Sequence, residues 1–312
     1  MKRIIVASLL LSGAVFSGSA QAQAQTQGGL ASRISHYDVA RTNNLKAVHD
    51  GAGTMNFGAL MNDKSITSTN MIFLHRGVLH PKSGIGQHFH NHCEEMFVIF
   101  DGEAEFTVNG RTSTIASPPG GAVGAPDRMG SAHAIYNATD HDVEWMNINV
   151  GTSKVYDAFN LGDDRVGAPK DKIPQFVTMK LDRGQLLPTS TPGLMRRRAL
   201  GPSVFFTPWA YVDHMLIQPG TAIPSVQLAG LSEAFYVMSG DGTVTVNGET
   251  VAIKKGDAIP VEVNQAHSFK GGSAPLELMV IGVARDMATK NAFAADPANE
   301  NPERLFRQIR KQ

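Results

Sequence analysis

The amino-acid sequence predicts an all-β protein of two similar barrels in tandem, with short terminal helices. From about residue 70, short runs of β-forming residues alternate with turn residues, as in EMFVIFDGEAEFTV and DVEWMNINV. Such a density of short strands is typical of a sandwich or a barrel. The segment IFDGEAEFTVNGRTSTI, which begins at Ile99, also aligns without gaps with VMSGDGTVTVNGETVAI, which begins at Val237, 138 residues later. A repeat of this length indicates two domains of the same kind.

The repeated segments each contain a strong hairpin signal. Both include Thr-Val-Asn-Gly, at residues 107–110 and 245–248. Asn-Gly between β-forming residues favours a type I′ turn, because both central positions of that turn need a positive φ. The sequence therefore predicts a tight hairpin at the same place in each domain.

The first residues resemble an export signal. Lys2 and Arg3 precede a short apolar stretch at 4–16, and small residues follow at Ala20, Ala22 and Ala24. The apolar stretch is too short to span a bilayer, whereas a charged start, an apolar centre and small residues suit a cleavable signal peptide. The sequence therefore predicts a bacterial signal peptide at 1–24 and a periplasmic or secreted mature protein.

The charge balance excludes a general polyanion-binding surface. Lys plus Arg and Asp plus Glu both number 28, and removal of Lys2 and Arg3 makes the mature chain slightly acidic. Nucleic-acid binding proteins usually show a basic excess or a basic face. The three arginines at 196–198 lie in a strand-like context and are interpreted as a salt-bridged or solvated strand. We expect a small-molecule substrate, no nucleic acid and no membrane contact after signal removal, and homodimer formation is left open.

Changes in sequence pattern along the chain divide it into segments. We predict an N-terminal arm at 25–65, a first domain at 66–151, a linker or lid at 152–193, a second domain at 194–286 and a helical tail at 287–312. Leu305, Phe306 and Ile309 have helical spacing in that tail. Cys93 is the single cysteine, so that no intrachain disulfide can form and the core must hold the fold.

Potential metal ligands cluster in QHFHNHCEEMFVIFDG, residues 87–102. Side chains at i and i+2 of a strand share one face, so that His88 and His90 point the same way. Glu95 begins the next apolar strand, and His133 lies further along the chain. Three neutral imidazoles and one carboxylate suit Fe, Mn, Zn, Cu, Ni or Co and leave positions for a substrate.

These residues resemble the two motifs of the cupin superfamily, whose members are double-stranded β-helix (jelly-roll) barrels. The first motif, Gly-x5-His-x-His-x4-Glu-x6-Gly, is matched except that Lys82 replaces the opening glycine. The second motif, Gly-x5-Pro-x-Gly-x2-His-x3-Asn, is matched with two extra residues between Pro126 and Gly130. The matching positions are His88, His90, Glu95 and Gly102 in the first motif, and Gly120, Pro126, Gly130, His133 and Asn137 in the second. The resemblance implies one divalent transition metal bound by His88, His90, Glu95 and His133.

Four residues are candidates for catalysis. Glu95 could leave the metal and act as a base, and Arg128 could bind a carboxylate or enolate oxygen. Tyr136 is a further candidate in the barrel interior. His92 is interpreted as a neighbour of the ligands, a substrate contact or an alternative ligand, with an exposed turn as the equal alternative. A position in a surface loop is the favoured interpretation of Arg128, and Glu94 is expected to be solvated.

The second repeat resembles a degraded copy of the first. The 138-residue offset pairs His88 with Val226, His90 with Leu228 and Glu95 with Glu233. Gly220 and Gly240 keep the register, and His267 takes the place of the fourth ligand. Glu233 and His267 make a poor metal site, and their burial would require them to pair with each other. We therefore expect a single metal site, in the first domain.

The resemblance leaves three functions open. The leading hypothesis is a dioxygenase-type oxidoreductase acting on a small oxygenated organic compound, because the layout is similar to quercetin-dioxygenase-like and gentisate-dioxygenase-like bicupins. Oxalate-decarboxylase-like bicupins normally bind a metal ion in both domains. The degraded second repeat therefore argues against that class. A redox-neutral isomerase or lyase on a sugar-like compound is the alternative. The third is a non-catalytic periplasmic ligand-binding bicupin.

Overall fold

The computed structural model of the chain describes residues 28–123 and 131–300, which form 23 β-strands, two α-helices and five 3₁₀ helices. The strands up to residue 160 are β1 (Ser35–His36), β2 (Asn43–Lys46), β3 (Thr54–Met61), β4 (Met71–Leu79), β5 (Ser83–Phe89), β6 (Cys93–Ile99), β7 (Glu103–Val108), β8 (Arg111–Ala116), β9 (Gly120–Val123), β10 (His133–Asn137), β11 (Val143–Gly151) and β12 (Phe159–Asn160). The later strands are β13 (Thr178–Lys180), β14 (Leu187–Pro188), β15 (Leu194–Leu200), β16 (Trp209–Ile217), β17 (Val226–Gln227), β18 (Leu231–Ser239), β19 (Asp241–Val246), β20 (Glu249–Lys254), β21 (Asp257–Val261), β22 (Ala266–Gly271) and β23 (Leu276–Ala284). The α-helices are α1 (Leu30–Arg33) and α2 (Met287–Ala294), and the 3₁₀ helices are Val39–Arg41, Val48–Asp50, Arg183–Gln185, Pro202–Val204 and Pro297–Asn299.

The strands form two barrels of two sheets each, which confirms the fold class predicted from the sequence. The first barrel has the sheets β13-β9-β6-β11-β4-β3-β2 and β12-β5-β10-β7-β8. The second has the sheets β1-β21-β18-β23-β16-β15-β14 and β17-β22-β19-β20. The N-terminal segment joins both barrels, because β1 pairs with β21 and β2 pairs with β3.

Strand alternation divides the larger sheet of the first barrel into two faces. Trp145 and Phe97 belong to the interior core of that barrel, whereas Met96 and Met146 lie in a core shared with the second barrel. That shared core includes Tyr236 and Met279 from the facing sheet. The two large sheets therefore pack back to back, and successive residues of β6 and β11 serve the inside of one barrel and the contact between the two.

The hairpin prediction is confirmed in both domains. Asn109 and Gly110 have φ values of 49° and 77°, and Asn247 and Gly248 have values of 47° and 87°. Lys82, at the position where the cupin motif has glycine, also adopts a positive φ of 55°. The corresponding Gly220 has a φ of 73°, so that both repeats keep a left-handed residue at this turn.

Residues 152–193 add two short strands to the first barrel and one, β14, to the second. β12 pairs with β5, which carries His88, and β13 pairs with β9. Helix α2 follows the last strand and is capped by Asp286, whose side chain accepts a hydrogen bond from Thr289 N. Within the described ranges no helix is long and apolar enough to cross a membrane. The predicted signal peptide, Arg128 and the helical pattern of Leu305, Phe306 and Ile309 lie outside the described residues.

The expectation that Glu94 is solvated is wrong. Its side chain is fully buried and accepts hydrogen bonds from the backbone N–H groups of Phe206 and Thr207 at 2.8 and 2.7 Å. The hydroxyl of Thr207 donates a third bond at 2.6 Å. The reason is strand alternation: Glu95 points into the barrel, so Glu94 must point toward the second domain. Sequence reasoning placed that face in solvent because it did not foresee the back-to-back packing.

The arginines at 196–198 lie in β15, and the salt-bridged interpretation is confirmed for two of them. Arg196 and Arg198 reach the buried carboxylate of Asp213, with Nε to oxygen distances of 2.8 and 2.9 Å. Arg198 also stacks over Tyr211, 4.3 Å from its ring centroid. These side chains therefore stabilise the second barrel.

Candidate metal centre

Three strands bring four candidate ligands together inside the first barrel. His88 lies near the end of β5, His90 directly after it, Glu95 in β6 and His133 at the start of β10. Strand β10 is antiparallel to β5, with His133 opposite His88. Because β5 and β10 belong to one sheet and β6 to the other, the imidazoles meet the carboxylate across the barrel.

The four side chains surround a common point. The Nε2 atoms of His88, His90 and His133 lie 3.8, 3.3 and 3.2 Å from the carboxylate oxygens of Glu95. One donor atom from each residue lies within 4.8 Å of every other, the spacing of a group that could hold a metal ion. All four side chains are at most 1% exposed. Buried charges in protein interiors are paired or coordinate metals, so a cation suits this centre.

Backbone carbonyls fix the orientation of each imidazole. Nδ1 of His88 donates to Gly86 O at 2.8 Å, and Nδ1 of His133 donates to Ser131 O at 3.2 Å. Nδ1 of His90 bonds the carbonyl of Asp157. With Nδ1 bonded to a carbonyl, each ring turns Nε2 toward Glu95, and the neutral form of the ring carries on Nε2 the lone pair that a metal ligand requires.

Nε2 of His90 is the clearest sign of a missing partner. This atom is buried and makes no hydrogen bond with any of the described residues. Buried polar atoms in native structures are nearly always satisfied, and an unsatisfied one calls for an explanation. A bound metal ion would provide the missing partner, so the donor set fits the metal that the cupin motif implies.

Amide side chains hold the carboxylate of Glu95. Asn149 Nδ2 donates to Oε1 at 3.0 Å, and Asn147 Nδ2 donates to Oε2 at 3.3 Å. Burial by itself raises the pKa of Glu95, but the charge of His90 and the hydrogen bonds from His133 and His88 hold that pKa well below its usual range. Burial opposes the charged form of His90, yet the Glu95 carboxylate raises the pKa of His90 to about 11. The cluster therefore favours positive charge at its centre.

A cavity of about 390 Å³ opens above the cluster. Most of the surface exposed in the cavity is apolar, and the apolar residues of its wall are Leu45, Val48, Met55, Phe57, Ile72, Phe73, Ile85 and Trp145. The polar residues in the wall are His49, Asn62, Asp63, His75, His88, Glu95, Asn147, Lys154 and Tyr156. A cavity whose surface is mostly apolar and into which several polar groups converge is the usual form of a small-molecule site.

Of the nine polar residues of this cavity, sequence reasoning found only His88 and Glu95, and three of those it missed have aromatic rings. His49 stacks on His88 with ring centroids 3.9 Å apart and an interplanar angle of 15°. His75 stacks on Phe73, also at 3.9 Å, and burial lowers its pKa to about 4 although Glu95 opposes the shift. Tyr156 lies with its ring 5.3 Å from that of His90. His49 and Tyr156 come from the predicted arm and linker, where no motif marked them.

The structure places His92 and Tyr136 away from the cluster. His92 lies on the exposed turn between β5 and β6, where its backbone N–H donates a hydrogen bond to the carboxylate of Asp157. Tyr136 lies three residues after His133, an odd spacing that directs it to the opposite face of β10, among the charges of Lys82, Glu105 and Asp164. Alternation along the strand therefore corrects the expectation that Tyr136 reaches the barrel interior. Arg128 lies outside the described residues.

Asn137, the last residue of the second cupin motif, has a structural position. Its Nδ2 donates to the carbonyls of Leu79, His80 and His141 at 3.0, 3.1 and 2.7 Å. Its Oδ1 accepts from the N–H and the hydroxyl of Thr139. This amide therefore fixes the turn after β10.

The second barrel pairs its remaining ligand-type residues with each other. Nε2 of His267 lies 2.9 Å from Glu233, and the hydroxyl of Tyr211 donates to Glu233 at 2.5 Å. The accompanying cavity measures about 70 Å³, and Val226 and Leu228 in its wall stand where the first barrel has histidines. Among the described residues, groups of three or more candidate metal ligands occur only in the first barrel.

Comparison with known proteins agrees with this layout. The cupin domain model matches residues 75–149 and 213–282. Oxalate decarboxylase from Bacillus subtilis has a similar structure, at 16% identity and a TM-score of 0.58 over 81% of this chain and 76% of that one. A salicylate 1,2-dioxygenase variant from Pseudoaminobacter salicylatoxidans, in complex with gentisate, is 18% identical with a TM-score of 0.58, over 73% and 74% of the two chains.

A third structure of the same kind is oxalate decarboxylase from Lactobacillus farciminis in a formate complex. It is 14% identical, with a TM-score of 0.58 over 84% of this chain and 90% of that one. No curated protein sequence matches the chain. At identities this low, the structural similarity establishes a shared fold only. The reaction has to be argued from the site.

Proposed function

We propose that this chain, a two-domain member of the cupin superfamily, is a dioxygenase-type enzyme that acts on a small oxygenated organic compound. One divalent transition metal would be held in the first barrel by His88, His90, Glu95 and His133. The observation that carries the proposal is that these four side chains surround one point, and that two of them, His88 and Glu95, line a cavity of about 390 Å³ whose exposed surface is mostly apolar.

The chemistry divides between the metal and the chain. A bound redox-active metal supplies Lewis acidity toward substrate oxygens and a site for dioxygen chemistry. Glu95 is held by Asn147 and Asn149, which favours a fixed ligand over the mobile base considered from the sequence. The apolar wall excludes water from the reacting groups, and Tyr156 and His75 offer hydrogen bonds to substrate oxygens at its polar positions.

The lining of the cavity favours a substrate with an apolar body over a sugar-like one. Phe57, Phe73 and Trp145 provide aromatic surface, and most of the surface exposed in the cavity is apolar, whereas a polyhydroxylated compound needs a mostly polar surface. Lys154 is the one Lys or Arg among the described lining residues. Its ammonium group already donates to the carbonyls of Ile66 and Met71 at 2.5 and 2.7 Å. A compact dianion such as oxalate would therefore find little compensating charge in the described wall.

Export to the periplasm forms part of the proposal. The signal at 1–24 would be removed, and the metal would be acquired outside the cytoplasm, where copper and zinc compete by intrinsic affinity. Mass spectrometry of the protein recovered from the periplasm of its native host tests this step. We expect a mature chain that begins after residue 22 or 24; an intact N-terminus in the cytoplasmic fraction contradicts it.

Oxygen consumption tests the reaction class. Protein reconstituted separately with Fe²⁺, Mn²⁺, Co²⁺, Ni²⁺, Cu²⁺ or Zn²⁺ is incubated with catechol, gentisate or D-xylose in an oxygen-electrode cell. We expect oxygen uptake matched to loss of a phenolic probe, abolished in H133A and retained in H267A. Conversion without oxygen uptake would instead support an isomerase or lyase, and binding without conversion would support a ligand-binding protein.

A further inference from the structure

The N-terminal segment places an imidazole, that of His49, against the ring of the candidate ligand His88. Residues 28–53, here called the N-terminal strap, begin on the second barrel, where Leu30 N donates to Glu249 at 2.7 Å and Ser35 pairs with Ala258. The strap then reaches the first barrel through β2 and ends beside β5. Its 3₁₀ turn, Val48–Asp50, places His49 over His88.

The backbone of the strap is held in an unfavourable conformation at this point. Ala47, His49 and Asp50 have φ values of 51°, 49° and 61°. A positive φ is uncommon for residues other than glycine, and such residues persist where their surroundings determine them, often at functional sites. The strain is therefore concentrated where the strap presents His49 to the metal cluster.

Close backbone contacts lock the strap to β5. A Cβ atom at Gly86 would lie 2.1 Å from His49 O, and one at Gly51 would lie 2.3 Å from Gly84 O. Gly84 N also donates to Ala52 O at 2.9 Å. Gly86 is the residue whose carbonyl accepts the hydrogen bond from His88 Nδ1. The strap thus contacts the same backbone position that orients His88.

The imidazole of His49 is itself fixed at both nitrogens. Its Nδ1 lies 2.7 Å from Asn160 Oδ1, and the Tyr156 hydroxyl lies 3.5 Å from its Nε2. Asn160 is the β12 residue directly opposite His88 in the sheet. The ring of His88 is therefore bounded on one face by His49 and at its edges by His90 and His133, whose centroids are 4.9 and 4.4 Å away.

We infer that His49 is a positioning residue of the metal centre, which holds His88 by ring stacking so that Nε2 of His88 faces Glu95. This inference rests on the proposed metal site. Removal of the His49 ring opens one face of His88 to the cavity and lets that imidazole rotate about its side-chain bonds. Residues behind metal ligands commonly change metal affinity when replaced, because they orient the ligand.

Three substitutions separate stacking from simple space filling. H49F keeps an aromatic ring over His88, H49L keeps volume without a ring, and H49A removes both. Co²⁺ affinity of each metal-free, full-length protein is measured by competition with a chromophoric chelator, and the visible d–d spectrum of each Co²⁺ complex is recorded. We expect H49A and H49L to bind Co²⁺ about 10- to 100-fold more weakly than wild type, with an altered spectrum, and H49F to match wild type within about threefold.

The comparison between H49F and H49L remains decisive if H49A does not fold. Equal Co²⁺ affinity and equal spectra in wild type and H49L would overturn the inference, as would an H49F protein that binds as weakly as H49L. Failure of wild type to bind Co²⁺ would instead overturn the proposed metal site, and the positioning role with it. H80A, which removes an imidazole that pairs with Asp142 at the surface, is the matched control and should bind as wild type does.

Discussion

Nδ2 of Asn149 lies 3.0 Å from Oε1 of Glu95 and 3.2 Å from Sγ of Cys93, so that one amide orients the carboxylate of the metal cluster and contacts the single thiol. All three side chains are fully or almost fully buried. The carboxylate that the cupin motif contributes therefore depends on a residue of β11 that the motif does not contain.

Replacement of Asn149 should weaken metal binding more than it weakens the fold. In N149A the carboxylate of Glu95 loses a hydrogen bond that fixes its orientation, and we expect about a 10- to 100-fold loss of Co²⁺ affinity. N137A is the control, because Asn137 makes its bonds to backbone groups of the turn. N137A should lower the free energy of unfolding by about 1–3 kcal/mol with metal affinity unchanged. Equal metal affinity in wild type and N149A would contradict the positioning role.

Loss of Glu94 should destabilise the contact between the barrels. E94A leaves the buried N–H groups of Phe206 and Thr207 without an acceptor, and it removes the carboxylate that faces buried Lys290. Breaking such a buried charged network costs about 3 kcal/mol. Urea unfolding of E94A and of the exposed control E103A measures the difference, with E103A within about 0.5 kcal/mol of wild type. A stability of E94A close to that of E103A would refute this account.

Stability should depend on the ionisation of Glu277 in acid. Burial raises the pKa of Glu277, but hydrogen bonds from His214, Arg183 and Ser239 outweigh it and lower that pKa to about 2, from 4.5. Because the folded pKa lies below the unfolded value, the ionised carboxylate stabilises the fold above about pH 4.5. This contribution is lost as the pH falls through 2.

The variant E277Q isolates that contribution. In metal-free protein we expect E277Q to be less stable than wild type by about 2 kcal/mol at pH 7, and the difference to shrink toward zero near pH 2. Denaturant titrations of both proteins across this range measure it. A stability difference that stays constant between pH 7 and pH 2 would show that the carboxylate charge does not contribute as described.

The barrels and the ligand cluster were predictable because short stretches of the sequence determine their turns and the faces of their strands. Asn-Gly turns need particular backbone angles, and strand alternation places His88 and Glu95 without knowledge of distant contacts. The repeat then supplied the second barrel, including the pairing of His267 with Glu233. These features depend on residues close together in the chain or on one alignment.

The remainder of the site depends on contacts between distant segments. His49 and Tyr156 are 107 residues apart in the chain, and neither lies in a periodic pattern or a motif. Tyr136 differs from its expected position for a local reason, because an odd spacing from His133 puts it on the opposite face of β10. The burial of Glu94 is not predictable from its strand alone. The outer face of a strand is expected to be exposed to solvent unless a second domain is known to pack against it.

Metal stoichiometry tests the central claim most directly. Wild type, H90A and H267A are reconstituted with Co²⁺, passed through a desalting column and examined by elemental analysis with protein quantification. One four-residue site in the first barrel predicts one metal ion per chain in wild type and in H267A, and more than about 100-fold weaker binding in H90A. Equal loss of metal in H90A and H267A, or full retention in H90A, would contradict a single centre built on His88, His90, Glu95 and His133.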